Sequence, residues 1–125
     1  MKKRLLVVED TPVLAENMAD LFRMEGYEVD ISENGFEGLQ RLKESKYDLI
    51  ITDLIMPVMD GETLVSEIRI MTPTVPVIVL TARHLDVVLQ DALRAVGVDL
   101  ILNKTVEIDL LLDYVSKLAG RNDER

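Results

Sequence analysis

The chain, 125 residues and 14.1 kDa, has room for one domain that buries roughly two thirds of the surface its unfolded form exposes. With 48% hydrophobic and 30% charged residues it has a globular composition, because a disordered chain lacks the apolar content to offset its ordering entropy. Acids outnumber bases 23 to 14, and the net charge of −9 disfavours nucleic acid and anionic membranes; with no cysteine and one histidine, His84, disulfides, thiolate nucleophiles and His- or Cys-built zinc sites are excluded.

In chain order, short β-branched or leucine-rich runs alternate with longer stretches of helical spacing. Strands are expected at 5–8, 27–31, 48–52, 75–80 and 98–102. Most are apolar throughout, as strands covered on both faces are, whereas 27–31 alternates and suits an edge. Thr11 and Pro12 offer an N-cap and a proline at the first helical position, followed by Leu14, Met18, Leu21 and Phe22 at helical spacing until Gly26. Leu14 and Met18 are expected in the core. Asn34 opens a second helix through Leu39 and Leu42. Gly61 precedes a third, with Leu64, Ile68 and Met71 on one face and Pro73 as its stop. The fourth covers about 85–96 before Gly97, and the fifth about 107–118, inward on Ile108, Leu111, Val115 and Leu118.

This alternation predicts one three-layer α/β domain over 1–119: a parallel sheet with right-handed crossovers and helices on both faces. Residues 120–125 are polar and expected to be a tail or the start of a linker. No apolar stretch approaches the ~20 residues that span a bilayer, and no secretory leader is evident, so a cytoplasmic location is expected.

In an open parallel sheet, ligands bind beyond the carboxyl ends of the strands, where strand order reverses. Those ends carry Glu9 and Asp10, then Asp53, then Thr81 and Ala82, then Asn103 and Lys104. Singly, each has an ordinary role as turn residue, loop start, helix cap or solvated end, and His84 suits an exposed helix start. Together they do not, because caps require neither two acids after one central strand nor a third after its neighbour. Carboxylates ~5 Å apart at an effective dielectric of 20 repel by about 3 kcal/mol per pair, which calls for a hard cation. All-oxygen ligands select Mg²⁺ or a similar ion, and Lys104 and Thr81 supply donors to phosphoryl oxygens. An aspartate beside such an ion can act as a nucleophile and form an aspartyl phosphate. Asp53, alone at its strand end, is the expected acceptor; Glu9 and Asp10 suit the metal.

Val7-Val8-Glu9-Asp10, the run Asp53-Leu54-Ile55-Met56-Pro57-Val58-Met59-Asp60-Gly61, Thr81-Ala82 and Lys104 resemble, in order and spacing, the motifs of the receiver domain of two-component response regulators. The resemblance covers residues 3 to about 119. It implies a flavodoxin-like, doubly wound five-stranded sheet of order 2-1-3-4-5 with five helices on both faces. It also implies phosphoryl transfer to Asp53 from a sensor histidine kinase or histidine phosphotransfer protein that docks beside the first helix. By the same resemblance Asp10, Asp53 and the main-chain carbonyl of Ile55 ligate Mg²⁺, while Glu9 acts through a metal-bound water. Thr81 and Lys104 contact the phosphoryl group, which is reached past the small Ala82.

Two positions depart from the family. Ile101 stands where receivers usually carry an aromatic switch residue coupled to the hydroxyl, here Thr81. Thr105 stands where a proline usually follows the lysine; that lysine–proline bond is typically cis, and a non-proline cis bond costs about 2.5–4 kcal/mol, so a trans or strained loop is expected to place Lys104. Ile55 has no polar group to orient a water, and Arg83 can cover the phosphoryl group, which together predict slow self-dephosphorylation.

The expected role is a phosphorylation-dependent switch, not a turnover enzyme. A haloacid-dehalogenase-like phosphatase needs a second Asp two positions after the nucleophile, where this chain has Ile55. A flavodoxin-like flavin carrier needs a phosphate cradle where Glu9 and Asp10 stand. A receiver-like binding module that works without phosphorylation is favoured by Ile101 and Thr105 and opposed by the complete set of acids, Thr81 and Lys104. The fourth helix is apolar on more than one face through Leu85, Val88, Leu89, Leu93 and Val96, and the fifth adds Leu110 and Tyr114. A homodimer or effector contact is therefore expected around the fourth helix, fifth strand and fifth helix.

Overall fold

The computed structural model describes residues 2–56 and 58–120. Strands and helices alternate strictly: β1 (Arg4–Val8), α1 (Pro12–Met24), β2 (Glu28–Ser32), α2 (Gly35–Glu44), β3 (Leu49–Thr52), α3 (Gly61–Met71), β4 (Val77–Thr81), α4 (Val87–Ala95), β5 (Leu100–Asn103) and α5 (Ile108–Ala119). All pairings are parallel, in the order β2-β1-β3-β4-β5, the architecture expected from the alternation and the resemblance.

Because side chains alternate across a strand, the sheet builds two cores. Leu6, Val8, Ile50 and Val79 pack with Leu42 of α2, Leu64 and Ile68 of α3 and Leu93 of α4. Leu5, Val7, Leu49 and Ile51 pack with Ala19 and Phe22 of α1 and Leu111 and Val115 of α5. The central strands β3 and β4 are buried along their whole length, whereas β2, at an edge, carries Glu28 and Asp30.

Three helices open on a side-chain cap. Asn34, Asp60 and Asp86 each accept the N–H three residues on, from Glu37, Thr63 and Leu89, at 2.8 Å. Thr11 occupies the N-cap of α1, but its side chain makes no cap bond, so Pro12 is the effective start signal.

Several expected boundaries move. α4 begins at Val87 rather than 85, since the Asp86 cap sets its first turn. β4 begins at Val77 rather than 75, because Pro76 has no N–H to give; its carbonyl still accepts from Ile50 at 3.0 Å. Asp48 and Asp99 precede their strands and seal the amino end of the sheet, accepting the N–H of Arg4 and of Val77 at 2.8 Å. Leu14 and Ile108, expected inward, are 44% and 51% exposed. Both lie in first helical turns that begin beyond the strand ends, where no strand remains to cover them. Met18 and Leu118 are half-buried and His84 is exposed. Of the expected tail, Gly120 closes α5 and 121–125 lie outside the described residues.

Candidate functional site

Strand order reverses between β1 and β3, with β2 on the far side of β1, which opens a crevice at their carboxyl ends. Register fills it. Val8 pairs with Thr52, so Glu9 and Asp53 leave their strands at the same height, and the Asp53 N–H donates to the Val8 carbonyl at 3.1 Å. Thr52 pairs with Val79 and Val79 with Ile101, and beyond them the Lys104 N–H donates to the Thr81 carbonyl at 2.8 Å. Three neighbouring pairings thus bring Lys104 to Glu9, 95 positions away in sequence.

The Lys104 ammonium bridges two carboxylates, 2.7 Å from Glu9 Oε1 and 2.8 Å from Asp53 Oδ2. The other Asp53 oxygen, Oδ1, accepts the N–H of Leu54 at 2.7 Å and, at the weaker distance of 3.4 Å, that of Ile55. The Asp53 carboxylate is therefore oriented from both sides. Thr81 is buried, and its hydroxyl accepts the Arg83 N–H at 3.1 Å, leaving its own proton free to donate. Ala82 is exposed at the rim, as is the Arg83 side chain.

Glu9, Asp10 and Asp53 offer carboxylate oxygens all within 4.8 Å of one another, with Glu9 buried, Asp53 half-buried and Asp10 exposed. Burial pushes the Glu9 carboxyl above its usual range; Asp10 and Asp53 push the same way and Lys104 opposes them. Burial also works against the charge of Lys104, but its bonds to Asp53 and Glu9 outweigh that and hold it above the usual lysine value. The second Glu9 oxygen, Oε2, is buried with no hydrogen-bond partner among the described residues. An orphaned carboxylate oxygen beside two further carboxylates fits a hard cation with its water shell, so the residues present suit Mg²⁺.

The structure thus gathers Glu9, Asp10, Asp53, Thr81 and Lys104. The Ile55 side chain stays out of the cluster, 60% exposed, so that only its backbone serves the site. Ile101 is half-buried against the core that contains Leu64 and Leu93. Thr105 donates through both its N–H and its hydroxyl to Asn103 Oδ1 at 2.9 Å, a side-chain turn in place of a proline. No peptide bond among the described residues is cis, so a trans loop places Lys104. Pro57 of the quoted motif lies outside the described residues.

Sequence reasoning missed the amides of Leu54 and Ile55, which carry no residue signature, and the part played by Gly61. A Cβ there would lie 2.6 Å from the Asp53 carbonyl oxygen, so α3 starts directly against the Asp53 backbone. The Asp60-Gly61 pair was the signal for that close approach.

Residues 5–116 match the family described as the response regulator receiver domain. A response regulator receiver protein of Anaeromyxobacter sp. (strain Fw109-5) is 39% identical over 111 residues, 89% of this chain and 46% of that protein, so the chain spans less than half of its relative. A CheY-like receiver domain protein of Methanospirillum hungatei JF-1 superposes with a TM-score of 0.90 at 26% identity, covering 100% of both chains. The response regulator TrrA of Thermotoga maritima, solved in complex with Mg²⁺ and BeF, superposes at 0.83 with 35% identity, covering 93% of this chain and 98% of that one.

Proposed function

The chain belongs to the response regulator receiver family, signalling switches rather than turnover enzymes, and from that membership we propose that Asp53 accepts a phosphoryl group from a histidine kinase or phosphotransfer protein. The observation that carries this reading is the Lys104 ammonium held between Glu9 and Asp53, next to the orphaned Glu9 oxygen. In the transfer an Asp53 oxygen attacks phosphorus, the phosphorus–nitrogen bond of the donor phosphohistidine breaks, and its electron pair returns to the imidazole, leaving an acyl phosphate. Lys104 and the Thr81 hydroxyl donate to the oxygens of the transferred group. Asp10, Asp53 and the Ile55 carbonyl would hold Mg²⁺, with Glu9 acting through a water; when bound, the ion offsets charge on the phosphoryl oxygens.

Exposed Val13 and Leu14, in the first turn of α1 beside Asp10, support the donor contact there. Exposed Val88 and Leu110 support an effector or second copy at α4, β5 and α5. No helix among the described residues is long and apolar enough to cross a membrane; a cytoplasmic setting is part of the proposal.

Incubation with Mg²⁺ and a small phosphodonor, read by intact mass, should add a phosphoryl group to the parent and none to Asp53→Asn. A parent that gains no mass where Mg²⁺ binds is a receiver-like binding module working without phosphorylation. Self-dephosphorylation is proposed to be slow, because Ile55 cannot orient a water and Arg83 stands at the rim. After donor removal the parent should lose its label more slowly than Ile55→Asn combined with Arg83→Glu.

A further inference from the structure

Lys104 reaches Glu9 and Asp53 through a long, flexible side chain, so the backbone that carries it decides where its ammonium arrives. Behind the lysine, Asn103 pairs with Thr81, and the Lys104 N–H donates to the Thr81 carbonyl at 2.8 Å. Ahead of it the chain turns: the Val106 N–H donates to the Asn103 carbonyl at 3.0 Å, which puts Lys104 and Thr105 at the two central positions. Among the described residues no peptide bond is cis, and Val58 is the only residue other than glycine with a positive φ, so this turn is of type I. An asparagine at the first position of such a turn closes it with its own side chain. Asn103 Oδ1 does so twice over, accepting the N–H and the hydroxyl of Thr105, each at 2.9 Å. Glu107, the N-cap of α5, makes no side-chain cap bond, so the turn is closed from the β5 side. A proline at 105 would have no N–H to give Asn103 and would disfavour the helical backbone region at Lys104. The asparagine closure is therefore an arrangement of its own.

We propose that Asn103 is a positioning residue for the phosphoryl transfer. By closing the turn onto Thr105 it holds Lys104 in register with Thr81, so that the ammonium sits between Glu9 and Asp53 before the phosphoryl group arrives. Asn103 itself touches neither carboxylate and acts through Lys104. Asn103 and Thr105 are both exposed, so their bonds add little to folding, and their effect lies in the freedom they remove from the lysine backbone. The effect on rate rests on the phosphorylation reading above; the placement of the ammonium does not.

The test follows Lys104 by two routes. In the metal-free chain, ¹H–¹⁵N NMR should show a slowly exchanging ammonium signal for Lys104, identified by its loss in Lys104→Met. Asn103→Ala should lose this signal while the chain still melts cooperatively, and Thr105→Ser, which keeps both donors, should retain it. With Mg²⁺ and a small phosphodonor, Asn103→Ala should gain phosphoryl mass about tenfold more slowly than the parent. Thr105→Val, which loses the hydroxyl bond and keeps the N–H, should be slower by about two- to threefold, and Thr105→Ser should match the parent. Added to Lys104→Met, the Asn103→Ala change should make no further difference, the mark of a residue that acts through the lysine and not on the fold. An ammonium signal absent from the parent or untouched by Asn103→Ala overturns the inference. So does a parent rate in Asn103→Ala, or a slowing that persists undiminished in the Lys104→Met chain. If the parent gains no phosphoryl mass, the phosphorylation reading fails and the ammonium signal alone decides the role of Asn103.

Discussion

Among the three clustered acids, Lys104 bonds Glu9 and Asp53 but not Asp10. Neutralising Asp10 therefore removes repulsion without breaking an ion pair. Asp10→Asn should raise the melting temperature of the metal-free protein by a few degrees, equivalent to about 1 kcal/mol, and weaken Mg²⁺ binding at least about tenfold by calorimetry. Mg²⁺ should in turn raise the melting temperature of the parent far more than that of the variant. Val58, in the loop between Asp53 and α3, has φ of 72°, a left-handed conformation that a β-branched residue adopts only at a cost, and it is 79% exposed. Val58→Gly should stabilise the fold by about 1 kcal/mol in denaturant titrations, the relief of φ exceeding the added chain entropy. The acids were legible in the sequence because each follows an apolar run, whereas the Val58 backbone had no signature, since valine reads as extended.

Between elements, the tightest constraint is the start of α3. In Gly61→Ala the new methyl would meet the Asp53 carbonyl oxygen at 2.6 Å and the Leu54 Cα at 2.9 Å, both backbone atoms that cannot swing aside. The expected loss is about 1–3 kcal/mol of stability, together with slower phosphorylation at the proposed acceptor Asp53 as its backbone shifts. Unfolding curves and phosphorylation time courses check the two parts separately. Helix existence was legible from periodicity, but α4 shows its limit: Leu85 continues the apolar spacing, yet the hydrogen bond from Leu89 N–H to Asp86 decides the first turn. Leu14 and Ile108 mark the same limit at first turns, where spacing predicts a face but not whether a strand is there to cover it.

For the whole molecule, the amino end of the sheet is closed by a charged network opposite the acid site. The Tyr47 hydroxyl donates to Asp30 at 2.6 Å, and the Arg4 guanidinium lies over the Tyr47 ring at 5.4 Å. Burial, then Asp30, pushes the Tyr47 phenol up from 10.0 to about 12. The folded state thus holds this proton more tightly than the unfolded one. The resulting stability is fully present below pH 10 and is lost as pH rises from 10 to about 12. Comparing unfolding of the parent and Tyr47→Phe across that window isolates it: the parent should lose more stability than the variant, and phenolate absorbance should report Tyr47 ionising late.

By itself the sequence determined the α/β class, the alternation of five strands with five helices, and the residue types at each strand end, because periodicity, caps and turn residues are local properties of neighbouring positions. Tertiary structure decided the rest. That Lys104 bridges Glu9 and Asp53, that one Glu9 oxygen is left unpaired, and that Leu14 and Ile108 stay in water all follow from strand register and from which surfaces the sheet covers. These depend on residues far apart along the chain, 95 positions in the case of Lys104 and Glu9, and no local pattern encodes them.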